Sequence, residues 1–512
     1  MAWRTKTLLL VCFLLTVSFL IVQDNISLVV DTKNRGPNAP AAASTYFTLS
    51  KHVPEPPDVI QNESKAAVSR FVQLPPDTHR NNLTTVVGNT ANDGGNVEGG
   101  AFVSQAIPVP TVVLSPADQE TEHGLRISHL KTACAASEEE RLVETKKANL
   151  TEFFYSQSHD FAYCKVPKSG STFWMKVFMM LTKGNDVYES LQNMSRGDIH
   201  AKTRPLRVNP ARLLRKKVPT VVVSRNPFTR LFSAFVDKVY LPLFWEHFAV
   251  MEGTKRLPPK HITTTKEFLK TSRNGPISPR LIKHMDRLRL QGMIVKRNVT
   301  LKISPICANN ATFEDFLKFI IGQVKLNKHL ESHWAPISHL CRPCKLNTFK
   351  IVKQESFSPD VEHTLNSVGI NLTDIDWLHR SLYENRVENS IPGIVAVLES
   401  RLHNIQTKMC MSDQEAAARL WKSFQIQGYI SDILEVPVAF KSAKFKFSKE
   451  VVTIEVLSAI KKKPLSNVLS KQQRRKHLKE AYRGVSETTL TAIRNIYTLD
   501  FILFGYSFEL PN

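Results

Sequence analysis

The sequence predicts an α/β protein: a P-loop-like parallel sheet flanked by helices, preceded by a single membrane-spanning segment and an extended stem. Two short apolar runs, "FAYCKVP" (161–167) and "PTVVVSR" (219–225), have strand length and are rich in aromatic and β-branched residues. Each passes straight into a helical pattern, "STFWMKVFMMLTKG" and "NPFTRLFSAFVDKVY". Farther on, the helix "TFEDFLKFIIGQV", the strand "FKIVKQES" and the helix "SPDVEHTLNSVG" repeat the alternation. Strands alternating with helices build a parallel sheet covered on both faces.

Taken in order, the chain begins with a short basic tail, 1–7, in which Arg4 and Lys6 precede the uncharged run Leu8 to Val22. Residues 8–28 read as an uncleaved signal anchor. The alternative, a cleaved signal peptide, lacks a small-x-small site directly after the run. Basic residues on the N-terminal side keep the tail cytosolic and send the rest across the membrane. Asn-x-Ser/Thr triplets at Asn25, Asn62, Asn82, Asn149, Asn193, Asn298, Asn310 and Asn371 agree with a translocated body. From 29 to 128 the composition is Pro, Asn, Thr, Ala and Gly without helical or strand periodicity, the pattern of a flexible lumenal stem.

The remaining 129–512 read as one ordered domain. "SEEERLVETKKANLTEFFY" (137–155) has helical spacing. Residues 384–470 look like an insertion, and the strongly basic 441–479 like a surface arm. "SETTLTAIRNIYTLDFILFGY" closes the chain as a helix. With 68 Lys and Arg against 46 Asp and Glu, the formal charge is +22, which suits a polyanionic partner. Inside a lumen that partner is an acidic glycan and not nucleic acid. One of the seven cysteines, Cys12, lies in the anchor. Cys134, Cys164, Cys307, Cys341, Cys344 and Cys410 form an even set suited to disulfides in an oxidising compartment. "CRPC" (341–344) as half a zinc site has no second ligand pair.

"PKSGST" joins the first strand to its helix, where backbone N–H groups and the helix dipole bind anionic oxygens. Lys168 adds a charge, Gly170 close backbone approach, and Ser169, Ser171 and Thr172 hydroxyls. The G-x-x-x-x-G-K-[ST] spacing of nucleotide triphosphatases is absent, and on its own such a stretch is equally a polar turn. The second strand repeats the arrangement: Arg225 at its end, Pro227 at the first helical turn, then Arg230 and Ser233. Two anion sites at the ends of two strands suit a nucleotide with phosphates at both ends of its ribose. A plain surface charge is the competing reading of Arg230.

"YCKVPKSGSTFW" resembles the 5′-phosphosulfate loop of Golgi carbohydrate sulfotransferases, and "SRNPFTRLFSAF" resembles their 3′-phosphate motif. "HWAPISHLCRPC", "FKIVKQESF" and "YTLDFILFGYSF" resemble further blocks of the chondroitin, dermatan and HNK-1 type enzymes, in the same order. The resemblance implies the sulfotransferase fold, with 3′-phosphoadenylyl sulfate (PAPS) as donor and a sugar hydroxyl as acceptor. By position, Pro167, Lys168, Ser169, Gly170, Ser171, Thr172 and Phe173 would hold the 5′-phosphosulfate. Arg225, Asn226, Pro227, Phe228, Thr229, Arg230, Leu231, Phe232 and Ser233 would hold the 3′-phosphate. The first motif departs from the family in lacking its cysteine and asparagine, and Asn226 replaces the usual acidic residue.

Sulfuryl transfer needs a base for the hydroxyl proton and cations for charge on the leaving phosphate, and requires no metal. Lys168 fills the second role. His333 is the first choice of base, His200 the second, with Glu355 as base or sugar-orienting group. Each also has a structural reading. The expected acceptor is N-acetylgalactosamine of chondroitin or dermatan, in the Golgi lumen. HNK-1-like sulfation, an enzyme acting on heparan sulfate or tyrosine, and an inactive glycan-binding relative are the alternatives.

Overall fold

The computed structural model describes residues 27–29, 116–137, 151–184, 190–191, 194, 196–257, 260–262, 300–303, 306–372, 375–383, 387–403 and 405–511. Residues 8–26 of the expected anchor and 30–115 of the expected stem lie outside them. Ser27–Val29 pairs antiparallel with Thr300–Ile303, which in turn pairs with Lys260–Ile262. Among the described residues no helix is long and apolar enough to cross a membrane.

The ordered body starts earlier than its composition indicates. Helix α1, Pro116–Ala136, occupies the end of the stretch read as stem. Leu130 and Ala133 on it are buried, Arg126 donates to the Ile351 carbonyl at 3.0 Å, and Cys134 bonds to Cys344. The tertiary contacts of one face override a composition that is otherwise weakly helical.

The central sheet has five strands: β1 (Phe153–Ser156), β2 (Phe161–Cys164), β3 (Arg207–Val208), β4 (Pro219–Ser224) and β5 (Asn347–Lys353), in the order β5-β4-β2-β1-β3. Strands β5, β4 and β2 are parallel, with Tyr163 opposite Val221 and Ile351 opposite Val222. β1 and β3 are antiparallel additions. The sheet is therefore mixed, a parallel core with an antiparallel edge. "FFYS" extends as β1 where the helical reading of 137–155 continued through it, because its two phenylalanines are buried beside β2; residues 138–150 lie outside the described ones.

Alternation along β4 sends Val221 and Val223 into one apolar layer with Trp174, Phe178 and Trp377. Val222 joins Leu130, Leu499 and Leu503 in the other. Helix α2, Ser171–Lys183, follows β2 and buries Trp174, Met175 and Phe178. Helix α3, Pro227–Phe235, follows β4 and buries Phe228 and Leu231. After α4, Phe313–Lys325, the short helix α5, Ile337–Cys341, leads to β5.

The remaining helices correct two expectations. Helices α6 (Ile391–Leu402), α7 (Asp413–Ile426), α8 (Lys449–Lys462) and α9 (Asn467–Arg483) belong to the largest apolar cluster, together with Phe228, Phe316 and Trp334. The segment read as an insertion is a helical layer of the fold. The basic arm is no arm either: Val452, Val456, Leu478 and Tyr482 are buried, and the Tyr482 hydroxyl donates to the Phe228 carbonyl at 2.9 Å.

Three disulfides pair the six cysteines: Cys134–Cys344, Cys164–Cys341 and Cys307–Cys410. The two cysteines of "CRPC" thus go to different partners, which removes the zinc alternative. Of the glycosylation triplets, Asn310 and Asn371 are exposed, and the other six asparagines lie outside the described residues.

Candidate functional site

The C-terminal ends of β2, β4 and β5 open on the same edge of the sheet, the usual binding edge of an α/β fold. The turn after β2 holds Lys168 and Gly170 both at φ 70°. A Cβ on Gly170 would come within 2.4 Å of the Phe357 ring beyond β5, so only glycine lets these two segments close together. Helix α2 starts without a side-chain cap, and its first N–H groups have no partner within the helix. The Ser169 hydroxyl is buried with no hydrogen-bond partner among the described residues. An uncapped helix start beside an orphaned hydroxyl fits an anionic ligand.

Lys168 forms an ion pair with Asp237 at 2.9 Å, and Lys238 reaches the same carboxylate oxygen at 3.4 Å. Asp237 and Lys238 sit on a π-helical turn, Val236–Tyr240, that continues α3, a feature often found at functional sites. The Lys238 ammonium lies 4.1 Å from the centre of the Phe244 ring, whose edge meets His333 at a 5.1 Å centroid separation.

His333 is held by Glu331. The carboxylate accepts from the backbone N–H of His333 at 2.8 Å and contacts Nδ1 at 2.8 Å. Burial alone would raise the Glu331 carboxyl, but the hydrogen bonds and charge of His333 and the bond from Ser332 outweigh it and hold it at about 2. Burial lowers the His333 imidazole, and the charges of Lys238 and Lys168 lower it further against Glu331, to about 4. The ring is therefore neutral near neutral pH, with its proton on Nδ1 facing the Glu331 carboxylate. Nε2 makes no hydrogen bond to a described residue and is left as a base. The influence of Lys168 on His333 places the two leading sequence candidates in one electrostatic neighbourhood.

The second motif divides. Arg225 donates to the Lys168 carbonyl at 2.6 Å and to the Thr229 hydroxyl at 3.1 Å. Burial lowers its guanidinium to about 10, against the raising effect of Glu355 and with help from Arg230 and Arg474; it remains a cation. Ser233 is half-buried two turns along α3. The other expected ligands also have structural contacts. Asn226 caps α3 by accepting from the N–H groups of Phe228 and Thr229 at 3.0 and 3.3 Å. Pro227, Phe228 and Leu231 are buried, the last two in the helical core, and Phe232 packs edge-on against Phe313.

Arg230 is no surface charge. It is 1% exposed and donates to the carbonyls of Pro167, Ala335 and Ser332 at 3.1, 2.6 and 2.8 Å. It straps the loop after β2 to the "HWAP" segment. In the first motif, Pro167 takes part through that carbonyl, and Phe173 packs edge-on against Phe357.

Glu355 accepts from the Asn226 N–H at 3.0 Å and from the Tyr506 hydroxyl at 2.9 Å, which joins the turns after β4 and β5. His200 lies in Arg196–Lys202, packed on α2. Sequence reasoning missed Asp237, Lys238, Phe244 and Glu331. A faint signal existed for Asp237, one helical turn beyond Ser233 on the same face.

If Nε2 of His333 is the base, activity requires the neutral ring. The rate should hold from neutral pH down to about 5 and fall as pH drops through about 4, where an unperturbed histidine would already have lost it near 6.5. A pH–rate profile on the wild type and on His333→Gln checks this. A limb unchanged in the variant would remove His333 from the role, and a wild-type limb near 6.5 that the variant abolishes would keep the role and overturn the lowering of the ring.

A family model described as the sulfotransferase family matches residues 151–426. Carbohydrate sulfotransferase 10 of Danio rerio is 24% identical over 283 residues, covering 50% of this chain and 64% of that protein. The Xenopus laevis protein of the same name is 23% identical over 326 residues, 60% of this chain and 76% of its own length. Carbohydrate sulfotransferase 11 of Rattus norvegicus is 21% identical over 258 residues, 49% of this chain and 62% of its own. The chain thus spans a little under two thirds of the Danio rerio and Rattus norvegicus relatives. No solved structure matches it significantly.

Proposed function

The chain belongs to the sulfotransferase family, and from that premise we propose that it transfers a sulfuryl group from PAPS to a sugar hydroxyl of an acidic glycan, N-acetylgalactosamine of chondroitin or dermatan. The observation that carries this reading is the convergence of Lys168, the uncapped start of α2 and neutral His333 at the C-terminal edge of the sheet.

Ser169 to Thr172 and Lys168 would hold the 5′ end of the donor, and Arg225 with Ser233 its 3′-phosphate. When bound, PAPS supplies the activated sulfuryl group. His333 Nε2 takes the proton of the acceptor hydroxyl, and Glu331 fixes the tautomer that leaves this nitrogen open. The Lys168 ammonium and the α2 N–H groups stabilise the negative charge that gathers at the loop as the reaction proceeds. Asp237 and Lys238 hold the Lys168 ammonium in place by opposing its charge and flanking it.

An acidic polysaccharide is favoured by the exposed face of α9, where a surface cavity of about 360 Å³ is lined by Arg475, Lys476, Lys479 and Arg483 against one carboxylate, Glu480, with Gln472 beside them. A site in the Golgi lumen, behind a type II anchor, is supported by the three disulfides. The test is transfer of labelled sulfate from PAPS by the detergent-solubilised full-length chain to desulfated chondroitin, dermatan, heparan and N-glycan acceptors. Label on chondroitin or dermatan is the expected result. Label only on N-glycans would move the acceptor, and no transfer with tight donor binding would make the protein a glycan-binding relative.

A further inference from the structure

The 3′-phosphate subsite of the second motif is short of donors. Phosphate binding at the end of a strand ordinarily draws on the N–H groups of the following helix, but Asn226 already occupies those of Phe228 and Thr229. Arg230 is bound to three carbonyls. Arg225 has its Nε on Thr229 and one terminal nitrogen on the Lys168 carbonyl. What remains for a doubly charged phosphate is part of one guanidinium and the Ser233 hydroxyl.

Helix α9 packs across α3 at this point. Its Tyr482 hydroxyl is fixed to the Phe228 carbonyl in the first turn of α3. Leu478 and Arg474 lie one and two turns back along the same face, since residues four apart share a face. Gln473 anchors that end of α9 by donating to the carbonyls of Gln425 and Ile430 at 2.7 and 2.8 Å. The stem of Arg474 covers Gly428, where an added Cβ would fall 3.2 Å from its Cγ. Its guanidinium makes no hydrogen bond or ion pair with a described residue, yet its charge is felt by Arg225. The face of α9 that meets α3 thus carries a second guanidinium toward the Arg225 end of that helix, and two arginines on neighbouring elements form a seat for a dianion.

We propose that Arg474 supplies the second guanidinium of the 3′-phosphate subsite, so that the donor is gripped by helix α9 as well as by the motif after β4. This rests on the donor assignment above and adds a residue that neither phosphate motif contains. A paired, bidentate arrangement of two arginines suits a terminal phosphate monoester and offers nothing to an unphosphorylated ribose.

The test is calorimetric binding of adenosine 3′,5′-bisphosphate and adenosine 5′-phosphate to the full-length chain, which reads the subsite without turnover. The wild type should prefer the bisphosphate strongly. Arg474→Ala should cut that preference about 10-fold or more, the size of a charge-assisted hydrogen bond, and leave the monophosphate affinity unchanged. Arg474→Lys should recover part of it, Arg225→Ala should lose it, and Lys462→Ala, on the exposed end of α8, should leave it intact. Arg474 is exposed on a helix surface, so its alanine variant should fold; thermal melting of each variant checks that. A preference unchanged in Arg474→Ala but lost in Arg225→Ala overturns the role of Arg474 and leaves the donor assignment standing. A wild type without the preference overturns both.

Discussion

Lys168→Ala should lower turnover by about 10²–10³-fold, the cost of removing one preorganised electrostatic donor at a site of developing charge. The fold should scarcely notice. The ammonium is anchored to Asp237, but Lys238 stays on the same carboxylate when Lys168 is gone, so no charge is left buried and alone. The positive φ of residue 168 costs alanine about as much as lysine. The predicted signature is a large loss in kcat with near-wild-type melting, measured by sulfate transfer and by thermal unfolding. If activity stays within a few-fold of wild type, the loop after β2 is not the donor loop.

Arg230→Leu should do the reverse. Losing the guanidinium leaves the carbonyls of Pro167, Ser332 and Ala335 buried without their donors, and leucine cannot fill the planar volume. Breaking a buried, charged hydrogen-bond set of this kind costs about 3–5 kcal/mol, a large share of the stability of any domain. The variant should show a lowered denaturation midpoint and poor yield. Denaturant titration decides. A stable Arg230→Leu protein with weakened bisphosphate binding would return Arg230 to the phosphate site.

The parts of this protein that could be read in the sequence are the locally encoded ones. Strands β2, β4 and β5 announce themselves as apolar runs, and the turns after them carry the lysine, glycine and arginines that face the edge. What escaped depends on partners distant in the chain. Nothing near Arg230 tells that its guanidinium ends on carbonyls a hundred residues away. The role of Asn226, by contrast, was available: an Asn before Pro at a helix start is a cap, and the motif resemblance drew attention away from it. Helices α8 and α9 were hidden by their own solvent faces. Lysines and arginines dominate the composition there, while Val452 and Val456, then Leu478 and Tyr482, mark a buried stripe with only one residue per turn.

The disulfides also impose an order on biosynthesis. Cys134 and Cys164 leave the ribosome early, but their partners Cys344 and Cys341 lie 210 and 177 residues later. Throughout that interval both thiols are exposed to oxidants, and the bridge nearest to hand is the non-native one between them. Such a bridge must be undone by thiolate attack before "CRPC" can take both cysteines. Because Cys164 closes strand β2, the loop after it is not locked in place until the native exchange is complete. Pulse-labelled chains on non-reducing gels should pass through a fast-migrating early species that Cys134→Ser abolishes. Formation of the native pairs should therefore slow when isomerase capacity is withdrawn.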